Sequence, residues 1–94
     1  MNSFNQIIIE GVIVTEVTEI NSVVSFDIET VRNYKDTYGS ACVEKSVFNV
    51  IMYYDTSKFT NYLKKGKQVY IVGRLKQVDN GVLIVAEHIE EIKK

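Results

Sequence analysis

Five of the chain's eleven basic residues fall within one stretch, NYLKKGKQVYIVGRLK, Asn61 to Lys76. Lysine and arginine at that density can hold phosphate or another polyanion. Other reactive side chains are sparse. The one cysteine, Cys42, lies in a polar segment without the basic-plus-histidine surroundings that would lower its pKa and make it a nucleophile. The one histidine, His88, stands beside Glu87 and Glu90 and reads as structural. One cysteine and one histidine make no zinc set, and no glycine-rich phosphate cradle or nucleophile-base spacing is present. The expectation is a binding protein rather than an enzyme, with no catalytic residue, no metal and no cofactor.

The basic residues belong to an uneven charge pattern. Residues 1–29 hold five acids and no Lys or Arg, residues 30–76 carry a net charge of +6, and residues 77–94 return the chain to −1. Attraction for a polyanion depends on local potential rather than on the total. The pattern fits a polyanion-binding face, and ordinary solvated loops would produce it too. Ninety-four residues, 46% of them hydrophobic, predict one small soluble domain, 1–94, with a modest core. No run approaches the ~20 apolar residues that span a bilayer, and Met1–Phe4 has neither the basic nor the apolar region of a signal peptide. A cytoplasmic protein with no membrane partner is expected.

Periodicity indicates what positions these charges. Ile7, Ile9, Gly11, Ile13 and Val17 share one parity, predicting a long first strand that Gly11 lets bend. A turn near Asn21–Ser22 leads to a second strand in which Val24, Phe26 and Ile28 alternate with Ser25, Asp27 and Glu29. From Arg32 to Ser46 alternation fails and the residues are polar, which reads as a long hairpin arm or loop. Val47 to Tyr54 is β-prone and supplies a third strand. In DTSKFTNYLKKG, Asp55, Thr56 or Ser57 can cap a short helix, Phe59, Tyr62 and Leu63 share its apolar face, and Gly66 suits its end. Val69, Ile71, Gly73 and Leu75 form the inward set of a fourth strand, with Arg74 and Lys76 on the opposite face. Asp79-Asn80-Gly81 makes a tight turn into a last strand, Val82 to about Ile92. Five strands with one short helix between the third and fourth predict a mainly β, OB-fold Greek-key barrel.

The segments NQIIIEGVI, VVSFDIETVRNY, NYLKKGKQVYIVGRLK and VAEHIEEI occur in the order found in bacterial single-stranded DNA-binding proteins. The chain resembles that family over most of its length, most closely in the pattern Tyr-Leu-x-Lys-Gly-x-x-Val-Tyr-x-x-Gly-x-Leu. The resemblance implies binding of single-stranded DNA by stacking bases on aromatic rings and tracking phosphates with cations, in replication, recombination or mobile-element transfer. It implies Tyr34, Phe48 and Tyr54 as stacking residues. Parity leaves open which face of the third strand is buried, and Tyr53 replaces Tyr54 in the other register. Arg74, Lys76, Arg32, Lys35 and Lys45 are the expected phosphate contacts, joined by Lys65 and Lys67. Lys64 and Lys65 would equally complement the dipole at a helix end.

Three departures from the family's pattern are visible. No tryptophan is present, the connection at Asp79–Gly81 is short, and the sequence stops at Lys94 without the acidic tail by which many members recruit partners. Binding with less contact area per base and less wrapping is expected. The resemblance also implies self-association as a homodimer or homotetramer, with replication or recombination proteins as further partners, in a bacterial, plasmid or phage context. The alternative is an OB-fold interaction module of a replication-restart complex, similar to primosomal replication protein N.

Overall fold

The computed structural model describes residues 3–53 and 63–92. Six strands lie within them: β1 (Ile7–Ile13), β2 (Thr18–Ile20), β3 (Val23–Lys35), β4 (Ala41–Met52), β5 (Gln68–Val78) and β6 (Gly81–Glu91). The sheet order is β1-β5-β6-β4-β3-β2, and a further pairing of β1 with β3 closes five of the strands into a barrel. This is the expected OB-fold order. Residues 55–62 of the expected helix lie outside the described residues, as does Tyr54; Leu63 to Gly66, its expected end, hold a turn in which Gly66 has a positive φ of 93°.

Alternation fills the barrel. Val24, Phe26 and Ile28 on β3, Val50 and Met52 on β4, Val69 and Ile71 on β5, and Ile84, Ala86 and Ile89 on β6 form one buried cluster with Ile13 and Leu63. Each large aliphatic or aromatic side chain removed from water in this way contributes about 1.5–3 kcal/mol. Ile7, Ile9 and Val17 pack against the cluster from its edge, as their shared parity predicts.

Two glycines set how closely the strands approach. Gly11 lies where β1 crosses β3, and a Cβ there would run into the carbonyl oxygen of Glu29 and come within 2.9 Å of Ile28 Cγ1. Gly73 lies at the bulge between β5 and β6, where Val72 pairs with His88 and Gly73 with Ala86, so that Glu87 is the extra residue. A Cβ on Gly73 would meet the carbonyl oxygen of Val85.

The structure corrects several expectations. The first strand ends at Ile13 instead of continuing to Val17. Beyond Ile13 the backbone leaves β5: Val14 N donates to Asp27 O at 3.0 Å, and Asp27 N donates to Thr15 Oγ1 at 2.8 Å. The following residues form β2, a sixth strand, which a two-residue turn joins to β3. Asn21 and Ser22 both hold positive φ there, 51° and 66°, as a tight hairpin requires. The segment from Arg32 to Ser46 is an ordered ladder, with every residue from Val24 to Lys35 paired to β4. Alternation fails there because the hairpin projects past the core and both of its faces are wet. Leu75 is not a core residue. It is 44% exposed, because β5 leaves the barrel after Gly73.

Candidate nucleic-acid interface

Two hairpins leave the same end of the barrel. β4 and β6 run parallel and share only two rungs, Val50 with Ile84 and Ile51 with Val85. On the N-terminal side of these rungs the two strands part, each with its antiparallel partner. The longer arm continues through six pairs, from Thr30 with Ser46 to Lys35 with Ala41. At ~3.3 Å per residue it reaches about 20 Å. Its tip is held by Asp36, whose Oδ1 accepts from Tyr38 N and Ser40 N, both at 2.9 Å. The shorter arm has three pairs past Leu75–Ile84: Lys76 with Leu83, Gln77 with Val82, and Val78 with Gly81. Asn5 braces its base, donating from Nδ2 to Leu75 O at 2.8 Å and accepting from Leu75 N at 3.1 Å.

Pairing assigns each side chain to a face, because directly opposed residues share one. On the long arm, Arg32 opposite Glu44, Tyr34 opposite Cys42, and Phe48 opposite the buried Ile28 share the face continuous with the barrel interior. The Arg32 guanidinium lies over the Tyr34 ring, 5.0 Å from its centroid, a cation-π contact that holds both groups at the surface. Tyr34 and Phe48 are 39% and 40% exposed, since the strand has left the core at these positions.

The outer face carries a different set. Lys35, Lys45, Val47, Asn49 and Ile51 have the parity opposite to the buried Val50 and Met52. Tyr53, just past β4, continues this parity and is 48% exposed. Register links Ser25, Ile51, Val85 and Arg74 in one row across β3, β4, β6 and β5. Lys76 follows Arg74 on the same face of β5. Three strand spacings of ~4.8 Å make this surface about 14 Å wide. Its β3 flank bears Asp27 and Glu29 and its β5 flank bears Arg74 and Lys76. The outer face of the second and third barrel strands, here β3 and β4, is where OB-folds take oligonucleotides.

The expected site residues therefore divide. Arg32, Tyr34 and Phe48 share one face of the long arm, while Lys35, Lys45, Arg74 and Lys76 lie on the outer surface with Tyr53. Lys65 and Lys67 join neither group. Lys67 precedes β5 at the opposite end of the barrel from the arms, and its Nζ stands 3.5 Å from Glu91 Oε2. Tyr38 was not among the expected contacts and is 92% exposed at the long arm's tip. The Asp36-x-x-Gly39 spacing, a turn signature, is the signal that would have placed it there.

Residues 4–81 match the model of the single-strand binding protein family. No curated protein matches the chain. Among solved structures, a Plasmodium falciparum SSB in complex with ssDNA is 19% identical, with 99% of this chain and 98% of that one covered at a TM-score of 0.78. A mitochondrial single-stranded DNA binding protein from S. cerevisiae is 20% identical over 99% of this chain and 100% of that one, with a TM-score of 0.74. The small single-stranded DNA-binding protein from Streptomyces coelicolor is 20% identical over 98% of this chain and 94% of that one, with a TM-score of 0.73. At these identities the likeness is one of fold.

Proposed function

The chain belongs to the single-strand binding protein family, and from that membership we propose that it binds and protects single-stranded DNA along the outer face of β3 and β4, between the two hairpin arms. The whole chain, 1–94, acts as one binding domain, in the cytoplasm, where replication, recombination or mobile-element transfer exposes single strands. Supporting this reading is the placement of four cations, Lys35, Lys45, Arg74 and Lys76, on the surface that also carries Tyr53.

Each residue type has a defined part. Every base has a π-face, so an exposed tyrosine ring stacks on any of them, contributing ~1–3 kcal/mol per base. The cations take phosphates and release counterions, which gives affinity without sequence readout. Tyr34 and Phe48, on the other face of the long arm, offer rings to a strand that crosses over the arm. Tyr53 fills the position expected of Tyr54.

Self-association belongs to the same proposal. From Ile7 to Gly11, β1 pairs with β5 on one side and has no strand partner on the other among the described residues. Ile8 and Val12 stand exposed on its outer face, beside Tyr70 and Val72 of β5. An unpaired edge next to an apolar face fits a second copy of the chain.

The test is affinity for oligo-dT against duplex of equal length. Micromolar or tighter binding selective for the single strand is expected. Negligible binding to oligo-dT would favour a role as an interaction module of a replication-restart complex.

A further inference from the structure

Two rows of side chains cross the outer face of β1, β5 and β6. Ile8, Val72 and His88 are directly paired in one, and Glu10, Tyr70 and Glu90 in the next. Directly opposed residues share a face, and these rows lie on the face assigned above to a second copy of the chain. A shallow groove of about 620 Å³ runs there, lined by Tyr70 and Val72 of β5, with Glu10 on the β1 side and His88 and Glu90 on the β6 side.

The polar groups of this face are arranged in pairs. His88 Nε2 lies 2.8 Å from Glu90 Oε1, and both side chains are more than half exposed. Gln68 Nε2 donates to Glu10 Oε1 at 3.0 Å, and Lys67 Nζ stands 3.5 Å from Glu91 Oε2. Glu87, the extra residue of the bulge, is exposed next to His88, and Arg74 follows Val72 on the outer face of β5. Tyr70, and Tyr53 on the β4 side, add only phenols. With the imidazole neutral, Glu10, Glu87 and Glu90 outweigh Arg74 by two charges, while Glu91 and Lys67 cancel.

A two-fold interface sets the same patch of each copy against itself, so every charge on it meets its own kind. Each copy brings an excess of two negative charges, and carboxylates without a cation are costly to take out of water. Imidazole is the side chain whose charge ordinarily changes between pH 5 and 8. A proton on His88 turns its contact with Glu90 into a neutral ion pair and halves the excess on each face. The product of the two facing charges then falls fourfold.

We infer that His88 makes the assembly of this protein pH-dependent, the copies associating more tightly as pH falls through the imidazole range. The inference rests on the self-association proposed above and deepens it. By linkage, an assembly that holds more protons than its separated chains is favoured at acid pH and loosens as pH rises. One proton per chain makes two per dimer, and each proton taken up changes the association constant by at most about tenfold per pH unit.

Sedimentation velocity over a dilution series, at about pH 8.5 and about pH 6 and one ionic strength, brackets the imidazole range and gives the dissociation constant of the assembly at each pH. The assembly is expected to be at least about tenfold tighter at the lower pH. His88→Gln should abolish that difference, and because the position is exposed the fold should survive, as circular dichroism checks. Glu90→Gln, which removes one of the facing charges, should tighten the assembly at the higher pH. Equal constants at both pH values, looser assembly at the lower pH, a difference that persists in His88→Gln, or no tightening in Glu90→Gln would overturn the role of His88 and leave self-association intact. A chain that stays monomeric at both pH values to its solubility limit would overturn self-association as well.

Discussion

Replacing Arg74 and Lys76 together with Gln removes two charges from the β5 flank of the outer face without touching the buried cluster. Both side chains are exposed and have the parity opposite to Val69, Ile71 and Gly73, so the unfolding midpoint should stay within the range of ordinary surface substitutions. For single strands each neutralised phosphate contributes about 0.7 to the slope of log affinity against log salt. If each residue takes one phosphate, the double variant loses about 1.4 units of slope. Adding Lys35→Gln and Lys45→Gln, which lie on the same outer surface, should bring the loss to about 2.8 units. Arg32→Gln makes the contrast. Its guanidinium lies over the Tyr34 ring and opposite Glu44, so its loss should weaken binding mainly through the ring and change the slope by less than one contact. Titrations of labelled oligo-dT at a series of salt concentrations yield all of these slopes. A slope unchanged in the Arg74/Lys76 variant, with folding intact by circular dichroism, would refute the assignment of β5 to the binding surface.

Three further outcomes are expected. Tyr53→Ala should weaken single-strand binding by ~1–3 kcal/mol with little change in thermal midpoint, since the ring is about half exposed; equal affinities by anisotropy would remove it from the site. Gly73→Ala should destabilise the fold by at least ~1–3 kcal/mol in urea unfolding, because the new Cβ meets the Val85 carbonyl and the bulge fixes both strands. In light scattering at tens of micromolar, the mass should be that of a dimer or tetramer of the 10.8 kDa chain, and Ile8→Lys together with Val12→Lys should return it to the monomer value.

Local pattern was enough to place most of the elements. Alternation marked the buried parity of β1, β3 and β5 because one wet face and one dry face impose a period of two on any strand within the barrel. The turn at Asn21–Ser22 was legible because few residue types accept the positive φ of a two-residue hairpin, and the one before β6 because Gly81 accepts a positive φ, 147°, where the chain re-enters the ladder opposite Val78. The cationic stretch and the exposure of Arg74 and Lys76 followed from the same reasoning. Beyond the barrel's end that reasoning stops, since a hairpin with water on both sides has no reason to alternate. The ladder from Val31 to Lys45 carries no such signal, and Leu75 keeps an inward parity with no core left to enter.

Only tertiary pairing decided how the candidate contacts group. Sequence distance places Lys35 next to Tyr34 and Lys67 near Arg74. The ladders instead put Lys35 on the face opposite Tyr34, and send Lys67 to the far end of the barrel beside Glu91. The row of Glu10, Tyr70 and Glu90 could not be read from residues so far apart in the chain, because it depends on the register of β1 and β6 against β5. The fork between the arms depends on two parallel rungs between β4 and β6, which no local propensity encodes. Periodicity reports whether a side chain faces oil or water, and strand register, set by closure of the whole barrel, determines which wet side chains share a surface.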